Sequence, residues 1–479
     1  MSSDTHVSSP IPRHLKALAD TEPSSFWLDN SERPEPASAL VGATDADLVV
    51  IGGGFTGLWT ALLAKEADPS RDVVVLEGES VGWAASGRNG GFVAASLTHG
   101  FLNGLDRFPD EIDTLERMGH ENLAAIQDAV ERYGIDCGWE RTGELDVAVA
   151  PWQVTDLEAA AELIADHGGK PVLLDRDQVQ GRVYSPTYLA GLYDAESVAL
   201  VDPAKLAWGL RRACLELGVR IYERTKAVDL DSAGSGPMAR MRVRTAFGSV
   251  SAARVALASN VFPPLLRRIS SYIVPVYDYV LMTEPLSAQQ MSDIGWSGRE
   301  GIGDAGNQFH YYRLSQDNRI LWGGYDAVYY FGSKVTAERD QRPETFAALS
   351  DHFFATFPQL DGLRFTHAWG GAIDTCSRFS AFWGTAYDER VAYVAGYTGL
   401  GVGATRFGAQ VMLDLLDGAD TERTRLEMVR TKPLPFPPEP FRYAGIELTR
   451  RSIASADRHE GRRNLWLRTL DKAGLGFDS

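Results

Sequence analysis

The chain has 479 residues, of which 44% are hydrophobic and 23% charged, which excludes a disordered polymer and leaves room for two or three domains with buried cores. A net charge of −17 provides no positive field to gather phosphates and excludes nucleic acid and an anionic membrane surface as expected partners. The three cysteines, Cys137, Cys214 and Cys376, are far apart and form no CxxC pair, so neither a disulfide framework nor a metal site is expected.

Residues 1–45 form a polar N-terminal extension with no basic segment leading into an apolar stretch, hence no expected signal peptide. Phe26-Trp27-Leu28 is its expected anchor on the body. The apolar run 48–64 is broken by Gly52, Gly53, Gly54 and Gly57 and is too short to span a bilayer; the protein is expected in the cytoplasm. Residues 47–51 read as a buried parallel strand, 58–64 as a helix and 72–77 as a second buried strand, together a βαβ unit. Helices are expected over 110–133 and 155–167, where Leu and Ile recur at helical spacing. Another is expected over 206–217, stopped by Gly218 and followed by a strand at 219–222. From 240 to 330 the pattern is mostly strands (241–245, 250–258, 279–283, 319–322), punctuated by Pro263-Pro264 and Pro275. A strand at 391–395 and a helix at 404–416 follow. The tail from about 430 opens on a proline-rich run and carries Arg450, Arg451, Arg462, Arg463 and Arg468, as expected of a helix lying on an acidic body.

Gly52-Gly-Gly54-Phe-Thr-Gly57 fits G-x-G-x-x-G between a strand and a helix, and Glu77 follows at the end of the next strand, 77 − 57 = 20 residues on. Gly52 permits the tight turn, Gly54 lets a pyrophosphate approach the backbone, and Gly57 lets the helix pack close to the strand. The helix N-terminus, including Phe55 and Thr56, offers free N–H groups to the phosphates. Glu77 can accept from a ribose and would repel a 2′-phosphate. FAD and NAD both use this fingerprint. Further on, Ser86-Gly87-Arg88-Asn89-Gly90-Gly91 makes a loop able to bring backbone against a ligand. Near the C-terminus, Gly396-Tyr-Thr-Gly399-Leu400-Gly401 links a strand to a helix whose N-terminus could stabilise negative charge on a reduced flavin; an ordinary packing turn explains that segment equally well.

Together these segments resemble the D-amino acid oxidase-like (DAO) superfamily of FAD oxidoreductases. Residues 85–91, 274–277, 283–285, 311–313 with 321–324, and 396–401 are most similar to its γ-glutamylputrescine oxidoreductase branch, and 255–260 is similar to the family's third flavin-domain strand. The resemblance covers roughly 45–425. It implies an α/β fold: a Rossmann-like FAD-binding domain of glutathione-reductase type, from 45–115, 200–262 and 365–425, and a second, α+β substrate domain with a large antiparallel sheet, from 116–199 and 263–364. The tail, 426–479, is expected to pack on the body. Val228 is assigned to the same cofactor shell. The implied activity is oxidation of a small amine or amino acid, with transfer of its α-hydrogen to flavin N5, hydrolysis of the imine, and O2 or another acceptor re-oxidising the flavin. The branch alternatives for substrate are a γ-glutamyl diamine, an N-methyl or D-amino acid, and an aminophosphonate.

Some relatives attach FAD through a cysteine or histidine; here Cys376 falls a few residues late and the N-terminal loop has no histidine, so FAD is expected to be non-covalent. The lysine that assists oxygen in sarcosine oxidase-like enzymes has no counterpart between Lys226 and Lys334. The expected catalytic residues are His310, Tyr312, Arg313 and Tyr277. Strand alternation puts His310 and Tyr312 on one face and Tyr311 and Arg313 on the other. Arg313 could grip a carboxylate or phosphonate bidentately or form a structural ion pair. Tyr277 and Tyr279 share a face and could wall a pocket. Trp369 and Asp374 are expected near the ring, and His367 is expected to be structural. The rival readings are a flavin-dependent monooxygenase, a non-catalytic FAD-binding subunit and an NAD-dependent dehydrogenase.

Overall fold

The computed structural model describes residues 13–234, 239–472 and 474–475; the first 12 residues of the N-terminal extension and the last four of the tail lie outside the described residues. Apolar β-branched runs make two large sheets. The first has eight strands, with the order Phe382–Ala386, Val391–Ala395, Gly248–Leu257, Gly42–Ile51, Val73–Leu76, Arg220–Tyr222 along its main path. The inner neighbours pair in parallel, with Val50 opposite Ala256 on one side and Val75 on the other. Burial on both faces explains why these strands read as unbroken hydrophobic runs. Helix Phe55–Ala67 packs on this sheet between helices Pro203–Glu216 and Gly401–Asp417. The turn after Pro203–Glu216 has Gly218 at φ +83°, the stop signal read from the sequence.

The second sheet has nine strands. Its main path runs Val328–Tyr329, Val274–Thr283, Ile320–Gly324, His310–Leu314, Gly301–Asp304, Glu144–Ala148, Ala190–Asp194, Val172–Leu174, and Phe365–Thr375 pairs along the free edge of Val274–Thr283. Every pairing is antiparallel except Gly301–Asp304 with Glu144–Ala148. Helix Pro343–Thr356 covers one face, burying Phe346, Leu349 and Phe353 against Tyr279, Leu281 and Trp322. Pro275 sits second in its strand instead of ending it, a position near the strand start where a missing N–H is tolerated.

Two expected boundaries move. Phe365–Thr375, expected to return to the flavin domain, is still a strand of the second sheet. Helix Ile112–Arg132, expected in the substrate domain from residue 116, buries Leu115, Leu123 and Ile126 in the core beneath the first sheet. Its Asn122 Nδ2 donates to Gly403 O at 2.9 Å. In both cases the long-range partner decides, and local pattern does not report it. Trp27 is buried in the core between the sheets, as its apolar neighbours suggested. Helix Phe441–Arg458 lies on the body through Arg450, which pairs with Asp326 at 2.8 Å. Among the described residues no helix is long and apolar enough to cross a membrane.

Candidate active site

The first glycine turn leaves the C-terminal end of strand Gly42–Ile51. Gly52 has φ +115°, which favours glycine. A β-carbon at Gly57 would lie 1.9 Å from Gly52 O, so helix Phe55–Ala67 can approach the strand this closely only with glycine there. The helix N-terminus has no side-chain cap of its own, and Phe55 N–H donates instead to Ser86 Oγ, 3.0 Å away. Gly54 faces the same hydroxyl: a β-carbon there would be 2.9 Å from it. Glu77 is buried and accepts from Gly53 N at 2.6 Å, Glu79 N at 2.9 Å and Trp83 Nε1 at 3.0 Å. Desolvation raises its pKa, and the N–H donors oppose the rise.

The loop after Glu77 is tied at each turn. Asn89 donates to Ala85 O and accepts from Gly91 N, both at 2.8 Å. Arg88 donates to Trp83 O at 2.9 Å and pairs with Asp340. Trp369 Nε1 donates to Arg88 O at 2.7 Å and Trp27 Nε1 to Asn89 O at 2.9 Å. Gly87 packs so closely on Gly82 that no side chain fits. Gly90 and Gly91 lie beneath the second sheet: a β-carbon at Gly90 would meet the Tyr311 ring at 2.8 Å, and one at Gly91 the Arg313 guanidinium at 2.7 Å.

The second glycine turn joins strand Val391–Ala395 to helix Gly401–Asp417. Gly396 and Gly399 take φ +81° and +95°. Leu400 stands at the N-cap with no side-chain cap bond, and Gly401 is the first helical residue. Asp374, buried, accepts from Gly396 N at 2.7 Å and Tyr397 N at 3.3 Å; burial pushes its carboxyl up to about 6 despite these donors. Thr56 Oγ1 donates to Tyr397 Oη at 3.2 Å. That bond joins the first turn of helix Phe55–Ala67 to the second glycine turn, 341 residues away in sequence. Cys376 is wholly buried, and its thiol meets the carbonyls of Ser380 and Gly396 at 3.1 and 3.4 Å; burial raises its pKa. Val228 was assigned to the cofactor shell. Its side chain is exposed and its N–H is taken by Arg244 O at 2.8 Å, while Lys226 is the residue beside Gly78.

Alternation along the second sheet decides what faces the loop. The loop side carries Asp278, Val280, Tyr311, Arg313, Gly323 and Trp369. His310, Tyr312 and Tyr277 point the other way, into the core under helix Pro343–Thr356, where Tyr312 shares a hydroxyl bond with Tyr188 at 2.6 Å and His310 bonds Asp304 and His352. Tyr277 Oη meets the backbone of Thr336. These three, expected as catalytic residues, therefore lie on the face of the sheet away from the glycine loop. Arg313 is on the loop side, but its guanidinium donates to Val201 O at 2.7 Å and Gly91 O at 3.3 Å. It is buried among carbonyls, burial lowers its pKa to about 10, and it holds the loop. His367 bonds Asp29 and Thr366, as expected of a structural residue. The residues that pattern reading missed are Asp278 and Trp83. The available signal for Asp278 was its place on the same face as Tyr311 once the strands are paired.

Residues 47–415 match the family model for FAD-dependent oxidoreductases (DAO). The chain belongs to this family. This oxidoreductase is 32% identical to γ-glutamylputrescine oxidoreductase of Escherichia coli, over 84% of this chain and 90% of that one. It is 30% identical to a probable oxidoreductase, OrdL, of Haemophilus influenzae, over 83% and 88%. In fold it is similar to glycine oxidase from Geobacillus kaustophilus, with a TM-score of 0.65 at 20% identity over 81% of this chain and 99% of that one. The oxidoreductase fits the family's cofactor, FAD. Two glycine turns, each at a helix N-terminus without a cap of its own, are bonded to one another, and Glu77 directly follows the adjoining strand Val73–Leu76.

Proposed function

We propose that this oxidoreductase oxidises the carbon–nitrogen bond of a small amine, with a γ-glutamyl diamine as its substrate class. The observation that carries the reading is the near full-length similarity to γ-glutamylputrescine oxidoreductase, with both glycine turns intact. Bound FAD supplies the acceptor for the two electrons and the hydrogen leaving the carbon next to nitrogen. In this reading Gly52, Gly54, Phe55, Thr56 and Gly57 hold the pyrophosphate at a helix N-terminus. Glu77 takes the adenosine ribose. Ser86 to Gly91 and the second helix N-terminus, with Gly396, Gly399, Leu400 and Gly401, would hold the flavin ring. Trp369 and Arg88 fix the loop against the second sheet, which keeps water from the reacting carbon. FAD is held without a covalent link, since the Cys376 thiol is sealed against carbonyls. Three buried free thiols suit the reducing cytoplasm.

The test is an anaerobic absorbance scan of the purified holoenzyme with γ-glutamylputrescine, N-methyl and D-amino acids and aminophosphonates. Bleaching of the flavin bands by γ-glutamylputrescine is the expected result, and the rate of recovery in air then measures oxygen as acceptor. Bleaching by another compound class alone reassigns the substrate. A flavoprotein bleached by no amine overturns the reading.

A further inference from the structure

We propose that Asp278 and Tyr311 together are the base that takes the proton from the substrate's ammonium group, a role that rests on the amine-oxidation reading above. The two residues sit on strands separated by a third, Ile320–Gly324, and their side chains face the Ser86–Gly91 loop. The strand between them carries Gly323 at the crossing point. A β-carbon there would lie 2.7 Å from Tyr311 Oη, so its absence opens the path by which the phenol crosses and donates to Asp278 Oδ2. The other carboxylate oxygen accepts from Tyr279 N at 2.8 Å. On the far side of Asp278, the directly paired residue is Gly371, and a β-carbon there would meet only Arg88 Cβ, at 4.0 Å. Gly90 lies under the Tyr311 ring. Gly323 and Gly90 thus make room for the Tyr311 ring, Gly371 leaves open space beside Asp278, and both residues remain half-buried rather than sealed. Other polar side chains nearby are already engaged: Arg88 of the loop with Asp340, Arg313 with carbonyls, and His310 on the opposite face with Asp304.

The charges around the pair suit a base. Desolvation raises the Asp278 carboxyl to about 6, against the pull of the Tyr311 and backbone donors and of His310. Desolvation also holds the Tyr311 phenol far above its usual range, with Asp278 adding to the rise, so the phenol keeps its proton at rest. In the transfer, an ammonium N–H bond breaks, its electron pair stays on nitrogen, and the proton passes to Tyr311 Oη. The phenolic proton moves to Asp278, which ends as the neutral acid. No electrons change hands, and the neutral amine left behind is the form able to lose its α-hydrogen.

The experiment compares wild type, Asp278→Asn and Tyr311→Phe as flavin-loaded holoenzymes, following anaerobic flavin bleaching by γ-glutamylputrescine, or by whichever amine bleaches wild type, from about pH 5 to about pH 9. Near neutral pH each variant is expected to be slower by about 10² or more. The deficit is expected to shrink as pH rises, because solvent then deprotonates the amine. A second readout needs no turnover: calorimetric binding of the same amine to the dithionite-reduced holoenzyme is expected to weaken about tenfold in Asp278→Asn, through loss of the negative charge behind Tyr311 that attracts the ammonium. Variants with full flavin content and the wild-type pH profile overturn the proposal, as does a deficit of equal size at every pH, the mark of a structural effect. Should Asp278→Asn fail to retain flavin, Tyr311→Phe decides by the same criteria. If no amine bleaches wild type, the functional reading itself falls and the base with it.

Discussion

At the residue scale, Asp374 shows how a buried carboxylate shapes the cofactor turn. It gathers the N–H groups of Gly396 and Tyr397 and so fixes a turn that takes positive φ at Gly396, Thr398 and Gly399. Its carboxyl is raised to about 6 by burial, so the native state holds this proton more tightly than the unfolded chain does. Stability from this group is full below the ordinary aspartate range and is lost as pH climbs towards 6, a change of roughly 3 kcal/mol. Asp374→Asn keeps one acceptor and has no proton to lose. Thermal melts at about pH 4.5 and about pH 7.5 are expected to differ less in this variant than in wild type; an unchanged difference refutes the assignment. The glycine fingerprint and Glu77 were legible because their chemistry is local: turn, close approach and acceptor all follow from residue type and spacing. Asp278 was not, because nothing in Val274–Thr283 marks which alternate set faces the loop.

At the element scale, the second cofactor helix is seated by contact with a distant strand. A β-carbon at Gly403 of helix Gly401–Asp417 would lie 2.2 Å from Ala94 O in strand Phe92–Ala94. Gly403→Val is therefore expected to cost about 1–3 kcal/mol through overpacking and to loosen FAD, read as lower flavin occupancy after gel filtration together with a lower Tm. A variant that keeps full occupancy and wild-type Tm shows that the helix can shift without consequence. The helix was expected from residue 404 and starts at Gly401; the first was expected from 58 and starts at Phe55. Glycines in the first turns hid both starts, since they carry neither apolar periodicity nor a capping side chain. Phe365–Thr375 was misplaced for a different reason, because its partner strand lies about 90 residues earlier and local pattern contains no trace of pairing.

At the scale of the whole molecule, the Ser86–Gly91 loop ties the parallel sheet to the second sheet through Trp369, Arg313 and the Arg88–Asp340 pair. FAD binding is therefore expected to stabilise both sheets as one unit. Adding FAD to apoprotein at about a hundred times Kd is expected to raise stability by about 2.7 kcal/mol, with hydrogen-exchange protection increasing in Phe365–Thr375 as well as in Gly42–Ile51. Protection confined to the parallel sheet shows the halves to be uncoupled. The sequence by itself determined the βαβ unit, the dinucleotide turn with its acidic partner and the two-set alternation of 310–313, because each depends on neighbours within a few residues or one fixed spacing. Only the tertiary structure decided which of those two sets faces the glycine loop. It turned His310 and Tyr312 into the core, set Arg313 to holding carbonyls, and brought Asp278 to Tyr311 across Gly323. A strand's two faces are equivalent until the sheet has neighbours on each side, and those neighbours come from parts of the chain far away in sequence.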